Sequence, residues 1–215
     1  MAHNRIGIRE FVELTVRTGD LNPVTSNSNN TAMIGSQIHR KLQAAHRKSD
    51  YEKEVYLKTT VTVNDEDYQL EGRADGVWTE NKTLTVEEIK TSARSWEECS
   101  QNTKDRYWAQ ARIYGHLLCQ QRHQDHAVIT LVYVQTSTDT VSRFTETKSA
   151  AELADDFTDL LDEFTAWLKL RSDIIKQRNA SIATLKFPFP QYRTGQHEFA
   201  AAVYKAIYSL SLIHI

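Results

Sequence analysis

Long apolar runs, cysteine and net charge are all scarce in this sequence, and each scarcity narrows the class of protein. No apolar run is long enough to span a membrane. Arg5, Arg9 and Glu10 interrupt the N-terminal segment, so we expect no secretory signal. The net charge is -2, so the chain as a whole is not basic, as many nucleic-acid-binding proteins are. A local basic patch is still compatible with this charge.

Cysteine occurs only at Cys99 and Cys119. Two cysteines cannot build a four-thiolate iron–sulfur or zinc site, and they give no disulfide framework. We therefore expect no iron–sulfur cluster in this chain and a reduced, cytoplasmic setting. The hydrophobic content of 40% and charged content of 25% are ordinary for a soluble globular protein, and 215 residues suffice for one domain and an appendage.

Residues 83–91 form the segment around which the sequence is organised. Their β-branched and apolar residues, preceded by turn residues, predict a strand. Because side chains alternate along a strand, Leu84, Val86, Glu88 and Lys90 share one face. That face begins as core and ends with a carboxylate beside an ammonium. Burying both is costly unless a metal or a phosphate pairs with them, and an ordinary salt bridge is the simpler alternative.

The surrounding segments predict a mixed α/β (α+β mixed) fold with a central sheet flanked by helices. Turn residues separate three successive strands, which indicates an antiparallel meander. Residues 6–17 fit a strand or a short helix equally well. The predicted elements are, in order, a helix over 32–47, strands over 51–63, 68–78 and 83–91, a helix over 100–121, strands over 126–135 and 140–147, and helices over 149–178 and 197–208.

His39 lies beside the apolar stripe of the first predicted helix, which contains Ile34, Ile38, Leu42 and Ala45. Taken alone, His39 is a surface or helix-packing histidine. The basic residues that follow are either a solvated face or phosphate contacts. These basic residues are Arg40, Lys41, His46, Arg47 and Lys48.

Asp75 lies between Gly72 and Gly76 in the second strand of the meander. Glycine inside a strand indicates a bend or the close approach of another group, whereas a lone aspartate there is also common in turns. On the predicted helix over 100–121, Gln110 and Tyr114 are four residues apart and therefore share a face beside the core stripe.

Taken in order, His39, Asp75, the Glu88–Lys90 pair, Gln110 and Tyr114 suit phosphodiester hydrolysis. Two carboxylates, a backbone carbonyl and waters are the ligands that Mg²⁺ or Mn²⁺ prefers. Such a metal polarises a phosphate and lowers the pKa of a bound water, and a nearby lysine stabilises the developing charge.

This order of motifs resembles the PD-(D/E)XK nuclease superfamily, in particular its RecB-like branch. The matching motifs are Gly35 with His39, then Asp75, then Glu88-Ile89-Lys90, and finally Gln110-Ala111-Arg112-Ile113-Tyr114. The resemblance implies a restriction-endonuclease-like core with the element order αβββαβ. It covers roughly residues 30–135.

The resemblance also implies roles for individual residues. Asp75 and Glu88 would bind Mg²⁺ or Mn²⁺ with the Ile89 carbonyl and His39, and Lys90 would be catalytic. Gln110 and Tyr114 would position the site or contact DNA. Ala74 stands where the family's name has proline. The missing cysteines disfavour the four-cysteine relatives that carry an iron–sulfur cluster, including the CRISPR-associated ones.

A second resemblance lies near the C-terminus. Residues 187–196 resemble the entry to an XPD-like superfamily 2 helicase, in which a glutamine contacts adenine, and this implies nucleotide binding by Gln196. A capped helix is the plainer interpretation. No Gly-x-x-x-x-Gly-Lys-Ser/Thr follows, so this chain is not itself expected to be an ATPase. Residues 210–215 resemble a translated sequencing adapter.

We therefore expect a nuclease domain over residues 1–185, the start of a truncated helicase domain over 186–209 and an artefact over 210–215. The first hypothesis is a bacterial or phage helicase–nuclease in DNA repair, recombination or replication, cutting single-stranded or unwound DNA. The second is a catalytically silent nuclease fold that grips DNA for the helicase.

Overall fold

A six-stranded mixed sheet, flanked by helices, forms the centre of the computed structural model, which describes residues 4–19, 29–46, 50–186 and 188–208. The strands are β1 (Asn4–Gly7), β2 (Glu52–Val63), β3 (Glu66–Glu80), β4 (Thr83–Ser92), β5 (His126–Gln135) and β6 (Thr140–Ser149). The helices are α1 (Ile8–Thr15), α2 (Asn29–Ala45), α3 (Gln101–Arg122), α4 (Ala150–Ala183) and α5 (Gln196–Tyr208). The order from α2 to β5 is αβββαβ, so the predicted fold class is confirmed.

Two tight turns fix the register of the β2–β3–β4 meander. Asn64 and Asp65 both have positive φ, at 52° and 64°, and Asn81 and Lys82 do so as well, at 50° and 67°. Two consecutive left-handed residues form the hairpin turn whose twist matches that of the strands it joins. The flanking pairs are therefore Val63 with Glu66 and Glu80 with Thr83.

Helix α3 carries the chain from β4 to the parallel strand β5. The Ser100 hydroxyl accepts a hydrogen bond from the Thr103 amide and so caps its N-terminus, and His123 ends it in the left-handed conformation. β5 is almost continuously buried, which is typical of a strand covered on both faces. The crossover places α3 over the sheet, with Gln110 and Tyr114 on its buried side.

Apolar layers cover both faces of β4 and β5. The larger cluster joins the sheet to α1, α3 and α4, and Phe11 contacts Phe157 and Phe164 within it. The smaller cluster consists of Ile89, Val132 and Val134, against which Ile38 and Leu42 of α2 pack.

The apolar stripe predicted for the first helix is shorter than expected. Ile34 is 38% exposed and Ala45 is exposed, whereas Ile38 and Leu42 of the same stripe pack against the small cluster around Ile89. The N-terminal segment, for which strand and helix were both open, contains each in turn. Gly7 has extended backbone angles, and the helix begins at Ile8 and buries Ile8 and Phe11.

The chain divides into two compact units, residues 1–170 and 171–215. In the first unit, α4 buries Leu153, Phe157 and Phe164, and the acidic residues of its first half are largely exposed. In the second unit, α5 buries none of its residues. Residues 25–28, Arg47, Lys48, Phe187 and residues 209–215, on which some of the predictions fall, lie outside the described residues. Within the described part of the chain, no helix combines the length and the apolarity that crossing a bilayer requires.

Gly72 and Gly76 of β3 allow the close approach that the sequence indicated. A Cβ on Gly72 would lie 2.6 Å from the Tyr114 hydroxyl, and one on Gly76 would overlap the ring and hydroxyl of Tyr51. Tyr114 and Tyr51 therefore pack directly onto the backbone of β3, at Gly72 and Gly76 respectively. These two glycines lie on either side of Asp75 in the sequence.

Replacing Gly76 with alanine is expected to lower the free energy of unfolding by about 1–3 kcal/mol, since Tyr51 must move from a packed position. The control is Gly7→Ala, where a Cβ would meet nothing within 4 Å. At this position alanine is a poorer helix N-cap than glycine, which lowers stability, but it also reduces the conformational entropy of the unfolded chain, which raises stability. We therefore expect almost no change in the free energy of unfolding. Urea unfolding of both variants measures the difference, and equal losses would contradict the packing described.

Candidate active site

The candidate site lies where β3 and β4 separate. Their pairing ends at Gly76 and Glu87, and β4 continues beyond this point beside β5 alone. Strands that part leave backbone groups without a partner in the sheet, and such groups need another one. Asp75 supplies it, because its Oδ2 accepts a hydrogen bond of 2.7 Å from the Ile89 amide. The carboxylate of Asp75 is thereby fixed at the opening between the two strands.

His39 faces this opening from α2 and does not point to solvent. Its Nδ1 lies 3.1 Å from Oδ1 of Asp75. The hydrogen bond to Asp75 raises the pKa of His39, while burial opposes the shift. One turn earlier, a Cβ on Gly35 would lie 3.2 Å from the Thr91 hydroxyl. The absence of a side chain at Gly35 therefore lets α2 come close to the end of β4.

Glu88 and Lys90 lie side by side on β4, facing α3. Lys90 Nζ donates to Glu88 Oε1 at 2.7 Å and to Gln110 Oε1 at 2.8 Å. Glu88 is only 3% exposed, and burial raises its pKa to about 7 although the charge of Lys90 acts in the opposite direction. The salt bridge considered as the simpler alternative is thus present.

That salt bridge leaves half of the carboxylate unsatisfied. Among the described residues, no group donates a hydrogen bond to Glu88 Oε2, although the atom is buried. A buried polar atom without a partner costs about 1–3 kcal/mol, and more when the group is charged. This free carboxylate oxygen lies near the Asp75 carboxylate and the backbone carbonyl groups of β4. Oxygen donors of this kind are the ligands that a hard divalent cation prefers. The donor set therefore suits Mg²⁺ or Mn²⁺.

Gln110 and Tyr114 extend the network from Lys90 into the core. Gln110 Nε2 donates to the Tyr114 hydroxyl at 3.3 Å, and Tyr114 is 2% exposed. Burial raises the pKa of Tyr114, so the phenol stays protonated. The Tyr107 ring lies 5.3 Å from Lys90 Nζ, a contact that the sequence did not predict. These groups fix the position of the Lys90 ammonium.

The remaining predicted site residues have other hydrogen-bond partners or are exposed. Arg40 and Lys41 are exposed on α2, directly after His39, and Arg40 Nε donates to the Ser36 carbonyl. Gln196 begins α5 in the second unit, and its Oε1 accepts a hydrogen bond of 3.0 Å from the Arg193 amide. That bond closes the turn before the helix, as the plainer interpretation of Gln196 expects.

Glu54 is a site residue that the sequence analysis missed. One ligand atom from each of His39, Glu54 and Asp75 lies within 4.8 Å of the others. Gln43, 5% exposed, donates from Nε2 to Glu54 Oε1 and to the Asp75 carbonyl, both at 2.9 Å. Glu54 also has a left-handed φ of 52° inside β2, a conformation that costs a non-glycine residue about 1–2 kcal/mol.

The register of the hairpin could have identified Glu54. Lys53 pairs with Gly76 and Val55 with Ala74, so Glu54 lies opposite Asp75. This register follows when the turn is taken as the two residues Asn64 and Asp65, and not as the four residues 64–67 that the predicted strands leave between them.

Three comparisons with known proteins accompany this geometry. The family model of the PD-(D/E)XK nuclease superfamily matches residues 28–194. A solved structure described as the crystal structure of SSO0001 is 20% identical, covers 75% of this chain and 77% of its own, and has a TM-score of 0.50. At that identity the likeness concerns the fold alone. No curated protein matches the sequence significantly.

Proposed function

Because the chain belongs to the PD-(D/E)XK nuclease superfamily, we propose that it is a deoxyribonuclease that hydrolyses phosphodiester bonds with Mg²⁺ or Mn²⁺. The observation that carries this proposal is the buried Glu88 oxygen that has no partner among the described residues, next to Asp75 and Lys90. A bound cation would satisfy that oxygen, polarise the scissile phosphate and lower the pKa of the attacking water.

The chain's own residues then have distinct roles. Asp75, Glu88, His39 and the Ile89 carbonyl would hold the cation. Lys90 presents a charged donor to the phosphate, where negative charge develops. Its ammonium is already held by Glu88 and Gln110, so little reorganisation is needed when the substrate arrives. Gln110 and, behind it, Tyr114 keep Lys90 in place.

We propose DNA as the substrate, as single strands or unwound ends. Arg40 and Lys41 support this, because they are exposed one and two residues after His39 on the same helix. Contacts from these side chains to phosphates would bring the strand to the opening between β3 and β4.

We further propose that residues 186–209 begin a helicase domain of a longer protein that acts in DNA repair, recombination or replication. The support is the resemblance of residues 187–196 to a helicase entry, in which Gln196 would contact a nucleotide. The downstream reading frame of the gene tests this proposal. A Gly-x-x-x-x-Gly-Lys-Ser/Thr shortly after residue 209 is the expected result, and a frame without it would contradict the proposal.

The nuclease proposal is tested by incubating the purified chain with labelled single-stranded and double-stranded DNA, with Mn²⁺ or with a chelator. We expect cleavage only with the metal. A protein that binds DNA but takes up no Mn²⁺ in calorimetry would instead be a silent DNA-binding module. Retained cleavage in the chelator would exclude the metal-dependent reaction.

A further inference from the structure

A cavity of about 340 Å³ lies between the end of α2 and the face of the sheet that this helix covers. One residue from each of four strands lines it, namely Trp78 of β3, Glu87 of β4, Thr130 of β5 and Arg143 of β6. The register brings them together, because Glu87 pairs with Thr130, and Arg143 pairs with Val132, which lies on the same face of β5. Small-molecule sites have volumes of about 300–1,000 Å³, so this cavity can hold a small ligand.

The indole of Trp78 is a buried hydrogen-bond donor that lacks an acceptor. Trp78 is 8% exposed, and its Nε1 has no hydrogen-bond partner among the described residues. A buried indole N–H usually has a partner, and leaving a buried donor unsatisfied destabilises the folded state. The cavity that Trp78 lines is a space from which a ligand can supply the missing oxygen or nitrogen acceptor.

Glu87 and Arg143 bring two opposite charges to the same cavity. Glu87 is 5% exposed, and its Oε1 accepts the Tyr51 hydroxyl at 2.8 Å, whereas no described residue donates a hydrogen bond to its Oε2. Arg143 is exposed and forms no ion pair within the described part of the chain. The cavity therefore offers an acceptor for N–H groups of a ligand and a cation for an anionic group.

Aromatic rings form one wall of the cavity. His46, which directly follows α2, stacks on Tyr51 with the ring centroids 3.8 Å apart, and its ring centroid lies 4.7 Å from that of Trp78. Leu42 and Ala45 add aliphatic surface from the last turns of α2. Such a wall suits a flat ring that is apolar on its faces and polar along its edge, as a nucleobase is.

We propose that this cavity binds a nucleotide whose base carries N–H donors along one edge, either as a free nucleotide or as one unit of a DNA strand. Glu87 accepts hydrogen bonds from the base, Trp78 donates to an acceptor of the base, and Arg143 binds the phosphate. Guanine fits this set well, because its ring N–H and its amino group are adjacent donors and it carries acceptors as well. Thymine has a single N–H donor.

This site is separate from the proposed cleavage reaction. Side chains alternate along β4, so Glu87 points to the opposite face of the sheet from Glu88 and Lys90, which face α3. Tyr51 connects the two places, because it donates to Glu87 and packs on Gly76, the residue after Asp75. A nucleotide in the cavity therefore lies next to the candidate active site without using its residues.

The test is the binding of deoxyguanosine 5′-monophosphate to the full chain, measured by calorimetry in a chelator so that metal at the candidate active site cannot contribute. We expect saturable binding. Thymidine 5′-monophosphate should bind about 5–150-fold more weakly, which is the discrimination that one bidentate contact to a base provides. Deoxyguanosine, which lacks the phosphate, should bind at least about 10-fold more weakly, because a charge-assisted hydrogen bond is lost.

Two variants locate the ligand in the cavity. Glu87→Gln keeps an oxygen that can accept the Tyr51 hydroxyl, so it should fold and lose the preference for the guanine nucleotide over the thymine nucleotide. Arg143→Ala changes an exposed residue and should bind the nucleotide and the nucleoside equally well. Lys58→Ala is the matched control for the loss of a cation, because Lys58 is also exposed on a strand that pairs with only one other, and it should bind like the parent.

A competition experiment distinguishes the two sources of the nucleotide. If an oligothymidylate with one central guanine displaces the bound monophosphate, the ligand is a base of a DNA strand, and if it does not, the ligand is a free nucleotide. A parent that does not bind the monophosphate, or Glu87→Gln and Arg143→Ala variants that both bind it like the parent, would overturn the inference. Neither result bears on the nuclease proposal, which the metal-dependent cleavage of DNA decides.

Discussion

Replacing Lys90 with alanine should lower the rate of DNA cleavage by at least about 10²–10³-fold at saturating Mn²⁺, the effect of removing one donor that faces developing charge. The ammonium lies between Glu88 and Gln110, at 2.7 and 2.8 Å, and no water can take its place with the same charge. The loss should appear in the rate at saturating substrate, because the interaction strengthens as the phosphate gains charge.

The same substitution also affects stability, and the two effects must be separated. Removing one partner of a buried ion pair leaves the other charge uncompensated, a change that costs up to about 3–5 kcal/mol. Lys90→Met keeps most of the apolar stem of the side chain, and adding Glu88→Gln to it removes the uncompensated charge. Bound Mn²⁺ should partly restore the single variant, since it binds the folded state.

The measurement combines single-turnover cleavage of a labelled oligonucleotide with urea unfolding of each variant. Lys58→Ala is the control, because Lys58 is exposed on β2 and should leave the rate unchanged. If folded Lys90→Ala protein cuts DNA as fast as the parent, Lys90 has no catalytic role and the assignment of the site is wrong.

The sequence predicted most of the fold because its signals are local. Turn residues at 64–67 and 79–82 predicted the two hairpins, and the alternation of β4 placed Glu88 and Lys90 on one face. The structure shortens each turn to two residues, Asn64-Asp65 and Asn81-Lys82. This shifts each pairing by two residues and so leaves every side chain on its predicted face. The same local signals brought Asp75 and Glu88 together in the prediction, because these residues come from adjacent strands of the meander.

The sequence predicted less where the outcome depends on contacts between distant elements. The exposed ends of α2, at Ile34 and Ala45, follow from how far the helix overlaps the sheet, which helical periodicity does not encode. The change from β1 to α1 at Gly7 is equally non-local, because β1 pairs in parallel with β3 around Leu70. Local propensity could not choose between strand and helix there, and the segment contains both.

Glu54 shows a third kind of limit. A glutamate in an alternating strand looks like an ordinary exposed residue, and its left-handed φ cannot be read from the residue type. Its significance comes from Asp75 across the hairpin and from Gln43 on a helix that precedes both strands. Pairing the two strands across a two-residue turn at Asn64 and Asp65, in place of the predicted four-residue turn, would have placed Glu54 opposite Asp75.

Replacing Asp75 with asparagine should weaken Mn²⁺ binding by more than about 100-fold. Residues that only orient a metal ligand contribute about 10–100-fold, and the loss of a ligand itself should exceed this. DNA cleavage should fall with it, because Asp75 is one of the two carboxylates proposed to hold the cation. The amide keeps the shape of the side chain, and its oxygen can still accept the Ile89 N–H bond of 2.7 Å. The variant should therefore fold, with a modest loss of stability.

A matched control makes this prediction specific. The control is Asp67→Asn, since Asp67 lies in the β2–β3 hairpin and accepts the Thr62 hydroxyl at 2.7 Å. Calorimetric titration with Mn²⁺ measures both variants. If Asp75→Asn binds Mn²⁺ as tightly as Asp67→Asn, the cation does not lie between β3 and β4, and the unsatisfied oxygen of Glu88 needs another explanation.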